Sequence, residues 1–380
     1  MVELMPRRVM VVGSVPPPVH GSSVMAERLL DALEMLGVES ILVDKKLSFS
    51  IDEIGGGSIR KAGRAARFVN RVGKAVPDGS PLCIYFLTCA PGSFLVDCLA
   101  LYRLRRRRAR IVPYLHGIGF QTLAAKGRLW RWMVAWSFGV AERVVILGRS
   151  AYQDVRPWVD ESSVFVVPNA VPPPPPGALR GRTRHGSSDD ETRRTRFLYF
   201  ATLDPEKGAR EFLLAARHCR HAGLDADFIV AGQSVDEAYT EDLRSLAQSP
   251  ELAGRVRMTG GVFGEAKAAL FREADVFVFP TRYRHENFPL VNLEAMSFGL
   301  PVISTRRGCI PEQVPHGKAG LIADSNAPDA LADLMLAVAR SAKLRARLSR
   351  GAKELYEAEY TPEAFAERWR EVLHECYNAG

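Results

Sequence analysis

Residues 281–304 read TRYRHENFPLVNLEAMSFGLPVIS, a stretch that passes from strand end to loop to helix. The run before it, residues 274–280 (ADVFVFP), is apolar and of strand length, as a parallel strand buried on both faces requires. Asn287, Phe288 and Pro289 form the turn that follows, so Glu286 is expected at the carboxyl end of that strand. From Leu290 the pattern LVNLEAMSFG has helical period and stops at Gly299 and Pro301, which places Glu294 in the first turns of a short helix. Free amides at a helix start favour an anion, and a carboxylate one turn in can accept hydrogen bonds from two adjacent hydroxyls, as a ribose presents them. Glu294 stands among Leu290, Val291, Leu293, Ala295 and Met296, and a charge in such surroundings needs a partner.

Working outward, the same strand-to-helix alternation runs through the chain. In the front half, residues 9–13, 39–43, 82–87, 111–115, 143–147 and 163–167 read as short strands, with an amphipathic helix over 22–36 and further helix-like stretches between them. Such alternation predicts a parallel sheet covered on both faces. Residues 172–196 then read PPPPPGALRGRTRHGSSDDETRRTR, a composition that cannot pack a core and is expected to be a linker, stiff at its prolines. Alternation resumes with strands over 196–201, 226–232, 256–260 and 276–280, with further strand ends at 301–304 and 320–322, and the chain closes on a helix over 362–377. The expected division is an acceptor-side domain over 1–171, the linker over 172–196, a ligand-binding domain over 197–360 and a terminal segment over 361–380. Two α/β domains on one chain leave a cleft at the carboxyl ends of their strands, where ligands bind in such sheets.

The bulk numbers narrow the classes. At 380 residues there is room for two cores. Residues 1–172 carry a net charge of +9, residues 173–196 carry +3 and residues 197–380 carry −4, so the front half is the one suited to phosphate or an anionic lipid surface. Its densest run, Arg103 with Arg105 to Arg108 and Arg110, follows the apolar segment SFLVDCLALYRL and reads as a solvated helix end. Trp130, Trp132 and Trp136, flanked by Arg128 and Arg131, offer either a membrane-surface stripe or core packing, and core packing is the expected use. Six scattered cysteines suit reduced buried thiols. No apolar run reaches spanning length and the first residues lead straight into a strand, which predicts a cytoplasmic protein, with a peripheral place on the inner face of the plasma membrane open to its basic half. Metal binding finds no support, because the adjacent aspartates, Asp189 and Asp190, lie in the linker and the histidines do not cluster.

The stretch Glu286 to Glu294, with FP after the first glutamate and GLPVI after the helix, resembles the Glu-x7-Glu signature of retaining glycosyltransferases of family 4. That resemblance implies a GT-B fold, two Rossmann-like doubly wound parallel-sheet domains facing a cleft, with the terminal helix crossing back to the first domain. It implies transfer of a sugar from a UDP- or GDP-sugar to a glycan or lipid-pyrophosphate-linked acceptor, in bacterial cell-surface polysaccharide or glycolipid synthesis, without metal or cofactor. It assigns Glu286 to the donor sugar and Glu294 to the nucleotide ribose, beside Asn287, Phe288, Pro289 and Leu290. TLDPEKG over residues 202–208 resembles the family's GRLxxxKG element, which makes Lys207 the diphosphate lysine and Gly208 the close-approach glycine. Thr202 stands where the family commonly has Arg, so Lys207 acts with helix-end amides alone or Arg282 or Arg284 replaces the lost charge. His116, in YLHGIGF, resembles the front-domain histidine facing the donor sugar and is the second catalytic candidate. In the proline-rich loop over 13–23, Gly21 and Ser22 are the candidates for phosphate or acceptor, against a plain loop with an N-cap serine. Glu312 follows the signature helix in a loop like the family's GGxPE. The rival readings are a nucleotide-sugar epimerase or hydrolase of the same fold and a nucleic-acid-binding protein. The glycine fingerprint of an NAD-dependent oxidoreductase is missing.

Overall fold

The computed structural model describes residues 5–17, 19–45, 59–79, 81–177 and 194–378. The chain forms two compact units, Met1–Ala170 with Pro362–Gly380, and Val171–Thr361. In the first, the order is β1 (Arg8–Gly13), α1 (Gly21–Met35), β2 (Glu39–Asp44), α2 (Ile59–Ala75), β3 (Leu82–Leu87), α3 (Pro91–Arg106), β4 (Arg110–Leu115), α4 (Phe120–Ala124), α5 (Arg128–Gly139), β5 (Val144–Ile146), α6 (Tyr152–Val155) and β6 (Val164–Val166). These strands make one all-parallel sheet in the order β2-β1-β3-β4-β5-β6. The continuous apolar runs of the sequence are its central strands: Val9 to Val12 and Cys83 to Tyr85 are wholly buried, as covering on both faces demands.

The second unit contains β7 (Thr195–Phe200), α7 (Ala209–His221), β8 (Ala226–Ala231), α8 (Glu237–Ala247), β9 (Val256–Gly260), α9 (Gly264–Glu273), β10 (Val276–Phe279), α10 (Leu290–Ser297), β11 (Val302–Thr305), α11 (Ile310–Gln313), β12 (Gly320–Ala323), α12 (Pro328–Arg340) and α13 (Ala342–Glu359). Its sheet is parallel in the order β12-β11-β10-β7-β8-β9. The core is aromatic: Phe197 stacks on Phe228 at 5.6 Å and Phe271 on Phe298 at 5.6 Å. The chain ends in α14 (Pro362–Asn378), which packs on α1 in the first unit and buries Trp369 edge-on against Tyr114 at 5.1 Å.

Connections in the first sheet step one way from β1 to β2 and the other way from β2 onward. Right-handed crossovers therefore put α1 on one face and α2, α3 and α5 on the other. In agreement, α3 packs against both α2 and α5.

Element boundaries fall within a residue or two of those expected, and β7 already begins at Thr195, inside the expected linker. The rest of the linker reading, over 178–193 with Asp189 and Asp190, lies outside the described residues, as does Pro18 of the front loop. The six cysteines are thiols and not disulfides, Cys89 and Cys98 half-buried and the others buried. Core packing fails for Trp132, which is 61% exposed. The inner face of α5 is taken by Met133, Val134, Ser137 and Phe138, and position 132 points the other way. Among the described residues no helix is long and apolar enough to cross a membrane.

Candidate active site

The second sheet changes direction between β7 and β10, and ligands of doubly wound sheets bind at the carboxyl edge of such a switch point. Both loops singled out in the sequence leave from it. After β7, Asp204 caps a 3-10 turn, Pro205–Lys207, its Oδ1 accepting from the Glu206 amide at 2.7 Å. Gly208 then takes φ +89°, and a Cβ there would sit 2.4 Å from the Pro280 carbonyl oxygen. Only glycine combines that backbone with that approach, so the β7 loop closes onto the end of β10 and opens directly into α7.

The loop after β10 is sewn to it. The Arg282 amide donates to Glu206 O at 2.8 Å, and the exposed Arg282 guanidinium lies 3.5 Å from Pro205 O and 4.0 Å from Glu211. Lys207 Nζ and Glu286 Oε2 meet at 2.5 Å, with the Tyr283 ring 4.3 Å from the ammonium. Behind them, Gly308 lies so close that a Cβ would be 2.5 Å from Glu286 O and 2.7 Å from Asn287 Cα. Cys309 donates its amide to Asn287 O at 2.8 Å. Asn287 is 2% exposed, and among the described residues neither its Oδ1 nor its Nδ2 has a hydrogen-bond partner. Phe288 is buried against the Tyr360 ring. Pro289 occupies the N-cap of α10 and Leu290 its first position.

Glu294 has the partner its apolar neighbours demand, Lys267 of α9 at 2.6 Å, whose ammonium also lies 5.0 Å from the Phe200 ring. Thr202 is exposed, so no side-chain cation stands at that position. Of the two replacements, Arg282 rests on the turn that carries Lys207, and Arg284 is exposed on the loop beyond. Sequence reasoning missed the clamp on the start of α10. Buried Gln313 donates to Pro289 O at 2.9 Å and accepts from Asn292 Nδ2 at 2.8 Å. Its neighbour Glu312 was read, but a buried Gln leaves no pattern in a single sequence.

In the first unit, Gly21 and Ser22 open α1, and the cap is His20, not a serine. His20 Nδ1 accepts from the Ser23 amide at 3.2 Å and stands 3.1 Å from Ser22 Oγ, while Ser23 Oγ accepts from the His20 amide. His116 follows β4 with its ring parallel to Phe86 at 4.9 Å and edge-on to Tyr114 at 4.1 Å. Its Nε2 is enclosed and has no hydrogen-bond partner among the described residues. Burial, with His20 nearby, pushes the imidazole down to about 3, so the ring is neutral at physiological pH. Beneath it lies an ion pair that no motif announced. Lys45 and Asp97 meet at 2.5 Å, Asp97 also accepts from Tyr85 OH and from Thr88, and Lys45 donates to Phe86 O at 3.3 Å. The signal available was an aspartate inside the apolar run SFLVDCLALYRL.

A cavity of about 480 Å³ in the first unit, lined by Arg8, Glu39, Leu82 and Arg110, lies at the amino ends of the strands, the edge opposite His116. Among the described residues no group of three or more His, Cys, Asp or Glu is placed to hold a metal ion.

Residues 183–355 match the family model described as glycosyl transferases group 1. A GDP-mannose-dependent alpha-(1-6)-phosphatidylinositol monomannoside mannosyltransferase of Mycobacterium tuberculosis is 34% identical over 160 residues, 41% of this chain, and the match spans only 39% of that relative's length. The chain is similar in structure to sucrose-phosphate synthase from Thermosynechococcus elongatus, with a TM-score of 0.76 at 18% identity over 98% of this chain and 100% of the other. Anabaena HepE, solved in complex with UDP and glucose, gives 0.69 at 16% identity over 97% and 100%. The fold is thereby α/β of the GT-B class, each unit a doubly wound six-stranded parallel sheet.

Proposed function

We propose that the protein is a retaining glycosyltransferase of family 4 that moves a sugar from a UDP- or GDP-sugar to a glycan or lipid-linked acceptor, in bacterial cell-surface polysaccharide or glycolipid synthesis. The observation that carries this reading is the Lys207–Glu286 pair at the switch point of the second sheet. Without ligand, Glu286 is the counter-ion of Lys207. An arriving diphosphate competes for the ammonium, and the carboxylate it displaces becomes free to accept hydrogen bonds from sugar hydroxyls. Arg282, resting against the same turn from the loop after β10, supplies the second cation that Thr202 does not. The opening amides of α7 and α10 add donors for phosphate oxygens. Glu294, oriented by Lys267, receives the ribose hydroxyls. Two similar proteins, one GDP-mannose-dependent and one solved with UDP bound, support a nucleoside-diphosphate donor.

In the reaction the bond from the sugar's anomeric carbon to the diphosphate oxygen breaks, and the acceptor oxygen bonds to that carbon from the same face. The acceptor's proton passes to the departing diphosphate. Charge on the leaving group is met by Lys207, Arg282 and fixed amide dipoles, a preorganised field that asks for no divalent ion or prosthetic group. Neutral His116 can give or take a hydrogen bond through Nε2 but delivers no proton at neutral pH, so its assigned part is orientation of a sugar hydroxyl. Gly21 and Ser22 are assigned to phosphate or acceptor.

The test is thermal stabilisation and donor turnover across UDP-, GDP- and ADP-sugars, with wild type beside Glu294→Ala. One nucleotide class is expected to raise the melting temperature by several degrees in wild type and not in the variant. Transfer is expected to survive a chelator. No stabilisation by any sugar nucleotide overturns the reading, and release of an altered sugar without acceptor replaces transfer by epimerisation.

A further inference from the structure

The first unit is electrically two-sided. On one face of its sheet, α1 carries Glu27, Asp31 and Glu34, and α14 carries Glu363, Glu367, Glu371 and Glu375. On the other, α2, α3 and α5 hold a single acidic residue between them, Asp97, which is fully buried and paired with Lys45. The exposed cations of this second face include Arg67, Arg71, Arg105, Arg106, Arg128 and Arg131.

Large apolar side chains stand out among these arginines. Leu95, Leu99 and Tyr102 lie at positions i, i+4 and i+7 of α3, opposite its buried face of Phe94, Ala100, Leu101 and Leu104. Leu129 and Trp132 project from the neighbouring α5. Leu99 is 59% exposed, Trp132 61% and Leu129 65%, and it is their clustering on two neighbouring helices, not any one of them alone, that marks an interaction surface. Arg106 sits on the Tyr102 ring, its carbon 6.0 Å from the centroid, at the arginine-rich end of the stripe.

We propose that the α2–α3–α5 face is a docking surface for an anionic lipid bilayer. Arginines meet the charged headgroups while Leu95, Leu99, Leu129 and Trp132 enter the interfacial layer, the combination by which amphipathic surfaces lie on a membrane without spanning it. Charge selects this occupant. A second copy of the chain laid on the same patch sets arginine against arginine, and a nucleic acid gains little from protruding leucines. The inference shares with the proposed function only the lipid-linked acceptor. Vesicle binding needs neither donor nor acceptor, so the two fail separately.

The test is co-sedimentation of the full chain with vesicles of phosphatidylcholine alone and of phosphatidylcholine with phosphatidylglycerol. Binding is expected only with the anionic lipid, with a blue shift of tryptophan emission that Trp132→Ser removes, and is lost at about 0.5 M salt. The pair Arg105→Gln with Arg128→Gln is expected to weaken binding by about tenfold or more, and Leu99→Ser with Trp132→Ser by a similar factor. These positions are solvent-exposed, and unchanged melting temperatures confirm that each variant folds. Equal binding to both vesicles, no binding to either, retention of short RNA in place of vesicles, or concentration-dependent self-association that Leu99→Ser abolishes overturns the proposal.

Discussion

At the scale of residues, the charges of the candidate site sit in ion pairs whose partners a ligand can exchange. Lys207 with Glu286, and Lys267 with Glu294, are both partly exposed pairs, of the kind that contribute little to stability and are free to serve a ligand. The two glutamates and Lys207 were legible from motif and spacing. Lys267 was not, because it lies on a different helix and meets Glu294 only through the packing of α9 beside α10. His116 makes a pH prediction. Its folded value of about 3 lies below the ordinary one, so the unfolded chain takes up a proton first as pH falls. Folded stability therefore drops between about pH 6.5 and about pH 3, by at most about 1.4 kcal/mol per unit, and is untouched above that window. Thermal melts at about pH 7 and about pH 4.5 are expected to show wild type losing more stability than His116→Phe. Identical losses would mean that His116 is not held neutral in the folded chain.

At the scale of elements, two glycines let loops from separate strands share one edge. Period and apolar runs identified the strands and the helix over 290–297, since those signals are local. The closeness of Gly208 to Pro280, and of Gly308 to Glu286 and Asn287, is a property of strands brought together from distant sequence, and no local pattern reports it. Gly208→Ala is expected to cost about 1–3 kcal/mol, because the alanine meets both a left-handed backbone and the Pro280 carbonyl. The larger effect is expected in ligand response. With the β7 loop pushed off β10, nucleotide-induced stabilisation should be lost while the circular dichroism of the folded chain is retained. An alanine variant that is stabilised by nucleotide as fully as wild type would mean that this close approach does not position Lys207.

At the scale of the whole molecule, two sheets with different strand orders each keep their functional candidates at the carboxyl edge, Lys207 and Glu286 in one and His116 in the other. The alternation of strands and helices made both sheets foreseeable, whereas the strand order came only from pairing. Net charge by segment pointed to the basic front half, but its confinement to one layer of helices follows from crossover handedness, which needs the topology. The exposed stripe on α3 and α5 was hidden for a related reason: an apolar residue in a helix reads as core until the inner face is known to be filled. The proposed role of the β7–β10 switch point is to hold a nucleoside diphosphate through Lys207. It is tested most directly by titrating the diphosphate and the monophosphate of the preferred nucleoside against wild type and Lys207→Met. Wild type is expected to favour the diphosphate by about tenfold or more, and the variant to bind both with nearly equal affinity; an undiminished preference for the diphosphate in Lys207→Met would contradict the account.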